Sequence, residues 1–153
     1  MKLLPMTQDI YPIYLKQAIK DFAEDKVQAK TWNKEEALAL SKASFRSLLP
    51  EGLATKGHYL LTIALADQAI GYTWIYFESE NTEEAFVYDF LLVEDYRGKG
   101  YGQEAMQAIK VFCSQLGATK LSLHVFGHNQ RALHVYEKVG FQITDYSLSV
   151  DLV

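Results

Sequence analysis

The sequence predicts an α/β (α+β) fold in which helices cover a mixed β-sheet. Two observations support this prediction. The apolar patterns follow the order helix, helix, hairpin, strand, helix, strand, helix, strand, and a glycine-rich segment at residues 97–102 joins a strand to a helix. The chain has 153 residues, with no repeat, linker or low-complexity segment. Residues 1–153 are therefore predicted to form a single domain.

Two helices are predicted in the first third of the chain. Thr7 can cap the first helix, and Asn33 with Glu36 has the spacing of a capping box for the second. Pro50 ends the second helix. The first helix is predicted to have one apolar face that consists of Ile10, Ile13, Tyr14, Ala18 and Phe22.

A hairpin and a central strand are predicted next. Residues 58–66 and 70–78 are rich in β-branched and aromatic side chains and are separated by a short turn. Tyr72, Trp74 and Tyr76 share one face of the second arm, where core packing is favoured over a pocket wall. Residues 84–93 form an apolar run, interrupted by Asp89, that is typical of a central strand.

The apolar pattern in the second half of the chain predicts a strand between two further helices. Residues 103–116 have helical periodicity, with Gly117 at the C-cap position. Residues 121–125 alternate as a strand, and Asn129 can cap a short helix that Gly140 ends. The remaining residues, 141–153, are predicted to form one or two closing strands.

Composition excludes several classes of function. The formal net charge is −4 and the basic residues are scattered, so no nucleic-acid partner is predicted. The single cysteine, Cys113, excludes an intrachain disulfide. No signal-length or membrane-length apolar stretch is present, which predicts a cytoplasmic protein without a membrane partner. His124 and His128 are four residues apart in a strand and turn, so no metal site is predicted.

The glycine-rich segment has the chemistry of a phosphate-binding loop. Gly98, Gly100 and Gly102 precede a helix, where absent Cβ atoms let free main-chain amides approach an anion. Arg97 and Lys99 add positive charge. The spacing differs from that of dinucleotide-binding and P-loop motifs. A glycine-rich turn without a ligand is the alternative.

Two linked motifs resemble the GNAT acetyltransferases. Arg97-x-x-Gly100-x-Gly102 is similar to the family's coenzyme signature. The family's fifth strand and following helix are matched by Leu121-x-Leu123-x-Val125, Asn129-x-x-Ala132 and Tyr136-x-Lys138-x-Gly140-Phe141. The motifs cover about residues 70–141. The resemblance implies a mostly antiparallel sheet, a bulged fourth strand that splays from the fifth, and about four flanking helices.

The resemblance also implies acetyl-CoA as co-substrate, without a metal. The coenzyme-binding residues it implies are Leu91, Leu92 and Val93 through their main chain, Arg97, Gly98, Lys99, Gly100, Tyr101 and Gly102 around the pyrophosphate, and Asn129 and Ala132 near the pantetheine arm. Main-chain amides at residues 91–93 are expected to include an oxyanion donor. The side chain of Asn129 could also serve only as a helix cap.

Tyr136 and Asp89 are the predicted catalytic residues. Tyr136 matches the family's tyrosine that protonates the departing thiolate, with core packing as the alternative. Asp89 resembles the acidic residue with which polyamine-acetylating relatives hold an ammonium group; the alternative is a structural hydrogen bond to a neighbouring strand or to His124.

The implied reaction is direct acetyl transfer to a primary amine, on a polyamine, an amino acid, an aminoglycoside or a peptide. A non-catalytic acyl-CoA sensor remains the alternative function. A homodimer is also an expectation, since homodimers are frequent in the family.

Overall fold

The computed structural model describes residues 1–153. In chain order its regular elements are β1 (Lys2–Pro5), α1 (Tyr11–Gln28), α2 (Ala37–Leu48), β2 (His58–Leu65), β3 (Gln68–Tyr76), β4 (Glu84–Leu92), α3 (Tyr101–Leu116), β5 (Lys120–Leu123) and α4 (Gln130–Lys138). Short 3₁₀ turns occupy residues 52–54 and 94–96.

The five strands form one mixed sheet in the order β1-β2-β3-β4-β5. The pairs β1–β2, β2–β3 and β3–β4 are antiparallel, and the pair β4–β5 is parallel. A parallel pair needs a crossover between its strands, and α3 supplies it. The predicted mixed sheet and four flanking helices are confirmed.

Helices cover both faces of the sheet, which creates two cores. On one face Trp74 packs with Tyr14 of α1 and Phe45 of α2. On the other face Ile75 packs with Met106 of α3 and with residues of α4. Neighbouring strand residues point to opposite faces, so Trp74 and Ile75 anchor different cores.

The predicted helix boundaries depend on specific polar contacts. The Glu36 amide donates to Asn33 Oδ1 at 3.0 Å, and the Asn33 amide donates to Glu36 Oε1 at 3.4 Å, which confirms the capping box. Gly117 ends α3 with φ +103°, and Asn129 Oδ1 accepts a hydrogen bond from the Ala132 amide at 3.2 Å. The Asn33–Glu36 contacts thus hold the turn that leads into α2, whereas Gly117 and Asn129 fix where α3 ends and α4 begins.

Strand β4 contains a bulge and then separates from β5. Trp74 lies opposite Asp89 whereas Ile75 lies opposite Val87, so Tyr88 is an extra residue on β4. The β4–β5 ladder pairs residues 84–87 with 120–123 and ends at Val87. Beyond that point β4 has no partner on its β5 side. The bulge and the splay implied by the resemblance are both present.

The structure differs from the sequence predictions in one missed strand, one helix start and the C-terminal segment. Strand β1 was not predicted, because its four residues carry no clear alternation and include Pro5. Helix α1 begins at Tyr11, after a turn in which the Ile10 and Tyr11 amides donate to Thr7 O. The closing strands at residues 141–153 do not form. That segment contains no glycine, proline or asparagine to reverse the chain, and residues 142–153 are all exposed.

Candidate active site

The loop at residues 97–102 presents free amides to open space. Gly98 and Gly100 have φ +71° and +85°, the left-handed conformation that glycine adopts without strain. Gly100 is the N-cap of α3, and no side chain caps this helix. A Cβ placed on Gly100 would meet no atom within 4 Å. The first-turn amides of α3 can therefore bind an anion at this position.

Contacts at the two ends of the loop hold it in place. The Arg97 side chain donates from Nε to the carbonyl of Leu92 at 2.8 Å, which ties the loop to the end of β4. Its terminal nitrogens have no partner in the chain. Gly102 lies in the first turn of α3, and a Cβ there would lie 3.5 Å from Val135 Cγ1 of α4. This is an ordinary van der Waals distance, so the packing of α4 against α3 does not require a glycine at this position.

Three basic side chains surround this loop, and the sequence reasoning identified only two of them. Arg97 and Lys99 belong to the loop and are exposed. Arg131, near the start of α4, places Nη2 3.8 Å from the Cβ position of Gly98. Arg131 lies between Asn129 and Ala132 in sequence but outside the motif. Only the packing of α4 brings it to the loop.

The other predicted coenzyme residues lie close to the loop. Leu91 packs toward the core under α1, and Leu92 packs toward α3. Val93 is 38% exposed. The Tyr101 ring lies 6.0 Å from the Tyr96 ring at the start of α3. Asn129 and Ala132 form the first turn of α4, where Ala132 packs against the core.

The hydrogen-bond pattern of β4 selects one main-chain donor from residues 91–93. The Val93 amide donates to Ile70 O at 2.8 Å and is not available to a ligand. Antiparallel pairs alternate between bonded and non-bonded positions, so the Leu92 amide next to it points away from β3. That amide faces the side where β5 has separated. The Leu92 amide can therefore donate to a ligand, and the Val93 amide cannot.

Asp89 forms its side-chain contact with α1. Tyr14 Oη donates to Asp89 Oδ2 at 2.7 Å, and no basic side chain pairs with this carboxylate. Burial raises the pKa of Asp89 to about 6, although the hydrogen bonds from Tyr14 and the Phe90 amide act in the opposite direction. The alternative prediction for Asp89 was a structural hydrogen bond to a neighbouring strand or to His124. The side-chain group that bonds the carboxylate is instead Tyr14 of α1.

The bulge at Tyr88 determines which way Asp89 points. Val87 packs in the core under α3 and α4. In a regular strand Asp89 would share that face, because it lies two residues further on. The extra residue reverses the alternation, so Asp89 faces Tyr14 on the α1 side instead. A one-residue irregularity thus places a carboxylate in the acceptor half of the site.

Tyr136 lies in the core with its hydroxyl free. Its residue is 8% exposed, and its ring lies 5.8 Å from Phe141 and 6.3 Å from Phe90. The hydroxyl has no hydrogen-bond partner in the chain. Every fully buried polar side-chain atom of the protein has such a partner, so the Tyr136 hydroxyl is not fully buried and retains some solvent access. Burial, and then the charge of Asp89, raise the pKa of Tyr136 to about 12.

The aromatic stripe of β3 and the two histidines His124 and His128 make contacts that are typical of structural residues. Trp74 is 2% exposed and donates from Nε1 to His58 Nδ1 at 2.9 Å, which supports the core interpretation of the aromatic stripe. His128 Nε2 lies 2.8 Å from Asp25 Oδ1, and the His124 ring lies 4.9 Å from the Phe126 ring. Neither histidine forms a hydrogen bond or an ion pair with Asp89.

Strand β4 separates from the parallel strand β5 next to the glycine-rich start of α3, an arrangement typical of acyltransferases that bind a coenzyme between two such strands. Comparisons with known proteins agree. Residues 9–141 match the model of the acetyltransferase (GNAT) family. The chain belongs to this family, whose members use acetyl-CoA as co-substrate. None of the four α-helices combines the length and the apolar character that a membrane span requires.

The relatives include two proteins of Bacillus subtilis. An uncharacterized N-acetyltransferase, YycN, is 47% identical over 98% of this chain and 97% of its own. Another, YdgE, is 33% identical over 96% of this chain and 95% of its own. The crystal structure of YycN superposes with a TM-score of 0.96 over 99% of this chain and 98% of that one.

A more distant structure supports the fold alone. An aminoglycoside 6′-N-acetyltransferase of Acinetobacter haemolyticus superposes with a TM-score of 0.56 over 100% of this chain and 99% of its own, at 19% identity. The family match makes the chain an acetyltransferase and leaves its acceptor open.

Proposed function

We propose that this protein transfers the acetyl group of acetyl-CoA directly to a primary amine that carries a positive charge. The observation that supports this most is that Asp89 and Tyr136 both lie at the stretch of β4 just beyond the end of the β4–β5 ladder. Asp89 is the second residue after Val87, where that ladder ends, and the Tyr136 ring of α4 lies 6.3 Å from the ring of Phe90. One is a proton acceptor and the other a proton donor, as acetyl transfer to an amine requires.

The coenzyme would bind along the open edge of β4 and the start of α3. The pyrophosphate would accept hydrogen bonds from the amides at residues 100–102, with Arg97, Lys99 and Arg131 supplying positive charge. The pantetheine arm would occupy the space that β5 leaves beyond Val87. Asn129 Nδ2 has no partner in the chain, so it can donate to this arm while Oδ1 caps α4.

The acceptor amine would enter from the α1 side, where Asp89 lies. Asp89 is part-buried and has no cationic partner, which is unfavourable for a carboxylate, and an ammonium group would supply the missing charge. Asp21 and Asp25 of α1 add to the negative potential, since their charges raise the pKa of Asp89. This surrounding charge favours a cationic acceptor over a neutral or anionic one.

The chemical step then uses one group at each stage. Asp89 takes a proton from the ammonium group, directly or through water, and the free amine attacks the thioester carbon. The Leu92 amide would stabilise the oxyanion of the tetrahedral intermediate. The C–S bond breaks, the thiolate takes a proton from the hydroxyl of Tyr136, and the second proton, lost by the nitrogen as the amide forms, returns through water to the Tyr136 phenolate. No acyl-enzyme is formed.

A panel of amines tests this proposal. The purified protein would be given saturating acetyl-CoA with a polyamine, an amino acid, an aminoglycoside, a peptide N-terminus or a lysine peptide. Thiol release and the mass of the product would be measured. We expect amine-dependent release of CoA and a singly acetylated product, fastest with polycationic amines. Release that never exceeds acetyl-CoA hydrolysis would favour the non-catalytic sensor instead.

A further inference from the structure

The bulge in β4 places two consecutive side chains on the same face of the sheet. Tyr88 is the extra residue of the bulge, and its ring stacks on the Trp74 ring, with the centroids 4.7 Å and the planes 22° apart. Trp74 packs in the core under α1 and α2, so Tyr88 lies on the α1 side, as Asp89 does. In a regular strand two consecutive side chains would point to opposite faces. The bulge thus puts an aromatic ring beside the carboxylate assigned to the acceptor.

Three further rings lie around Tyr88. Its ring centroid lies 4.9 Å from that of Phe86 and 5.9 Å from that of His58, and the His58 ring lies 4.8 Å from the Tyr76 ring. These four residues, His58, Tyr76, Phe86 and Tyr88, are called the aromatic cluster. Tyr88 is 39% exposed and the other three are half-buried, whereas Trp74 beneath them is 2% exposed. The outer side of the cluster is therefore accessible to a ligand.

His58 contributes a neutral ring to the aromatic cluster. Trp74 donates from Nε1 to His58 Nδ1 at 2.9 Å. An indole nitrogen is a donor only, so Nδ1 must accept this bond and the imidazole proton lies on Nε2. Protonation of Nδ1 would bring two N–H groups against each other. Burial lowers the pKa of His58, and the charge of Glu78 opposes this shift more weakly. The cluster therefore carries no positive charge at neutral pH.

Carboxylates lie at two sides of the aromatic cluster. Asp89 follows Tyr88 in the chain and has no ion-pair partner. At the other side, Tyr76 Oη donates to Glu78 Oε1 at 2.8 Å. Lys56 Nζ lies 3.6 Å from Glu78 Oε2 and is thereby paired. The faces of aromatic rings also carry negative potential. Rings and carboxylates together favour a cation over a neutral apolar group.

We propose that the aromatic cluster is a second subsite for the acceptor, which binds a cationic group of the acceptor other than the amine that is acetylated. The reacting amine would lie at Asp89 and the second cationic group over the rings of Tyr88 and Phe86. Asp89 and Phe86 pair with Trp74 and Tyr76, two residues apart on β3, a separation of about 7 Å along the strand. A short alkyl linker spans this length. The acceptor class is then a diamine, or an amine that carries a quaternary ammonium group.

This inference rests on the proposed acetyl transfer, but binding tests it without any reaction. Choline and 3,3-dimethylbutan-1-ol have the same shape and differ in charge, and neither is an amine that can be acetylated. CoA-saturated protein would be titrated with each at constant ionic strength, with the indole N–H signal of Trp74 followed by NMR and identified with a Trp32→Phe variant. We expect a saturable shift with choline and at least about fivefold weaker binding of the neutral alcohol. Equal affinities, or no binding of choline, would overturn the proposal.

Variants of Tyr88 assign the binding to its ring. Tyr88→Leu should weaken choline binding by about fivefold or more, and Tyr88→Phe should retain it, because the Tyr88 hydroxyl makes no hydrogen bond in the chain. Tyr59→Leu is the control: Tyr59 lies next to His58 on β2, but its ring packs on Phe112 on the opposite face of the sheet. Circular dichroism checks the fold of each variant. A Tyr88→Leu variant that folds and binds choline as the wild type does would contradict the assignment.

Acceptor kinetics test the subsite during turnover. The substrates are (2-aminoethyl)trimethylammonium and its neutral-tailed analogue 3,3-dimethylbutylamine. Tyr88→Leu should lower kcat/KM by about fivefold or more for the first amine and leave the second within about twofold. An equal effect on both amines would refute the subsite while leaving the proposed acetyl transfer intact. Choline binding that depends on Tyr88, without acetylation of either amine, would support the cation subsite and refute the proposed reaction.

Discussion

Tyr14 Oη donates a hydrogen bond of 2.7 Å to Asp89 Oδ2, across 75 positions of sequence and between α1 and β4. The phenol is a neutral donor, so it stabilises the carboxylate without neutralising its charge. Burial raises the pKa of Asp89 and this hydrogen bond lowers it, with a result of about 6. Asp89 is therefore ionised at neutral pH but still basic enough to accept a proton from an ammonium group.

Removal of the Tyr14 hydroxyl should shift the pH dependence of the reaction. In Tyr14→Phe the ionised form of Asp89 loses a donor, so its pKa rises, and the acid limb of kcat/KM moves to higher pH by on the order of 1 unit. Tyr11→Phe is the matched control, because Tyr11 lies one turn earlier on α1 and does not bond Asp89. Identical profiles for the two variants would refute a role of Tyr14 in tuning Asp89.

Asp89→Asn should reduce activity and increase stability. The pKa of Asp89 is higher in the folded state than in the unfolded chain, so the folded state binds the extra proton between about pH 4 and 6. The wild type is thus relatively most stable below that window and loses stability as the pH rises through it. At pH 7.5 the Asn variant should unfold with a free energy higher by on the order of 2 kcal/mol.

The difference between the two proteins should diminish toward pH 4.5, where Asp89 is protonated in the folded wild type. Denaturant unfolding at both pH values measures this, and amine kinetics on the same samples should give a reduced kcat or a raised KM. Acetyl-CoA affinity should stay within about threefold. Unaltered amine kinetics across pH would return Asp89 to a structural role.

Gly100→Ala tests the phosphate-binding loop, and Gly117→Ala is its control. Both glycines have positive φ at opposite ends of α3, and a Cβ at either position meets no atom of the chain. The backbone strain should therefore be similar, about 1 kcal/mol. Only position 100 faces the proposed pyrophosphate. Calorimetry should find acetyl-CoA affinity reduced at least about tenfold in Gly100→Ala and unchanged in Gly117→Ala; equal affinities would contradict the assignment.

The parts of the fold that the sequence predicted are those determined by local chemistry. The Asn33–Glu36 capping box, the Gly117 C-cap and the Asn129 cap are interactions between residues three or four positions apart, or the conformation of one residue. The glycine-rich loop was predicted for the same reason. Each depends on a short range of sequence, so a single chain is sufficient to predict it.

The parts that were missed depend on contacts distant in sequence. Strand β1 exists because β2 pairs with it, and Arg131 approaches Gly98 because α4 packs beside the loop. The Tyr14 partner of Asp89 required the bulge at Tyr88, which reverses the direction of the side chain. Closing strands were predicted over residues 141–153, but no strand of the sheet pairs with that segment and residues 142–153 are exposed.

The rate of amine-dependent CoA release, measured for wild type and Tyr136→Phe at saturating acetyl-CoA, tests the proposed reaction most directly. The hydroxyl of Tyr136 makes no hydrogen bond in the chain, so the Phe variant should keep its fold and its coenzyme affinity. We expect saturable release by the wild type and a kcat lower by about 10²-fold or more in the variant. Equal turnover would make Tyr136 a core aromatic, and a wild type that binds acetyl-CoA without amine-dependent release would contradict catalysis altogether.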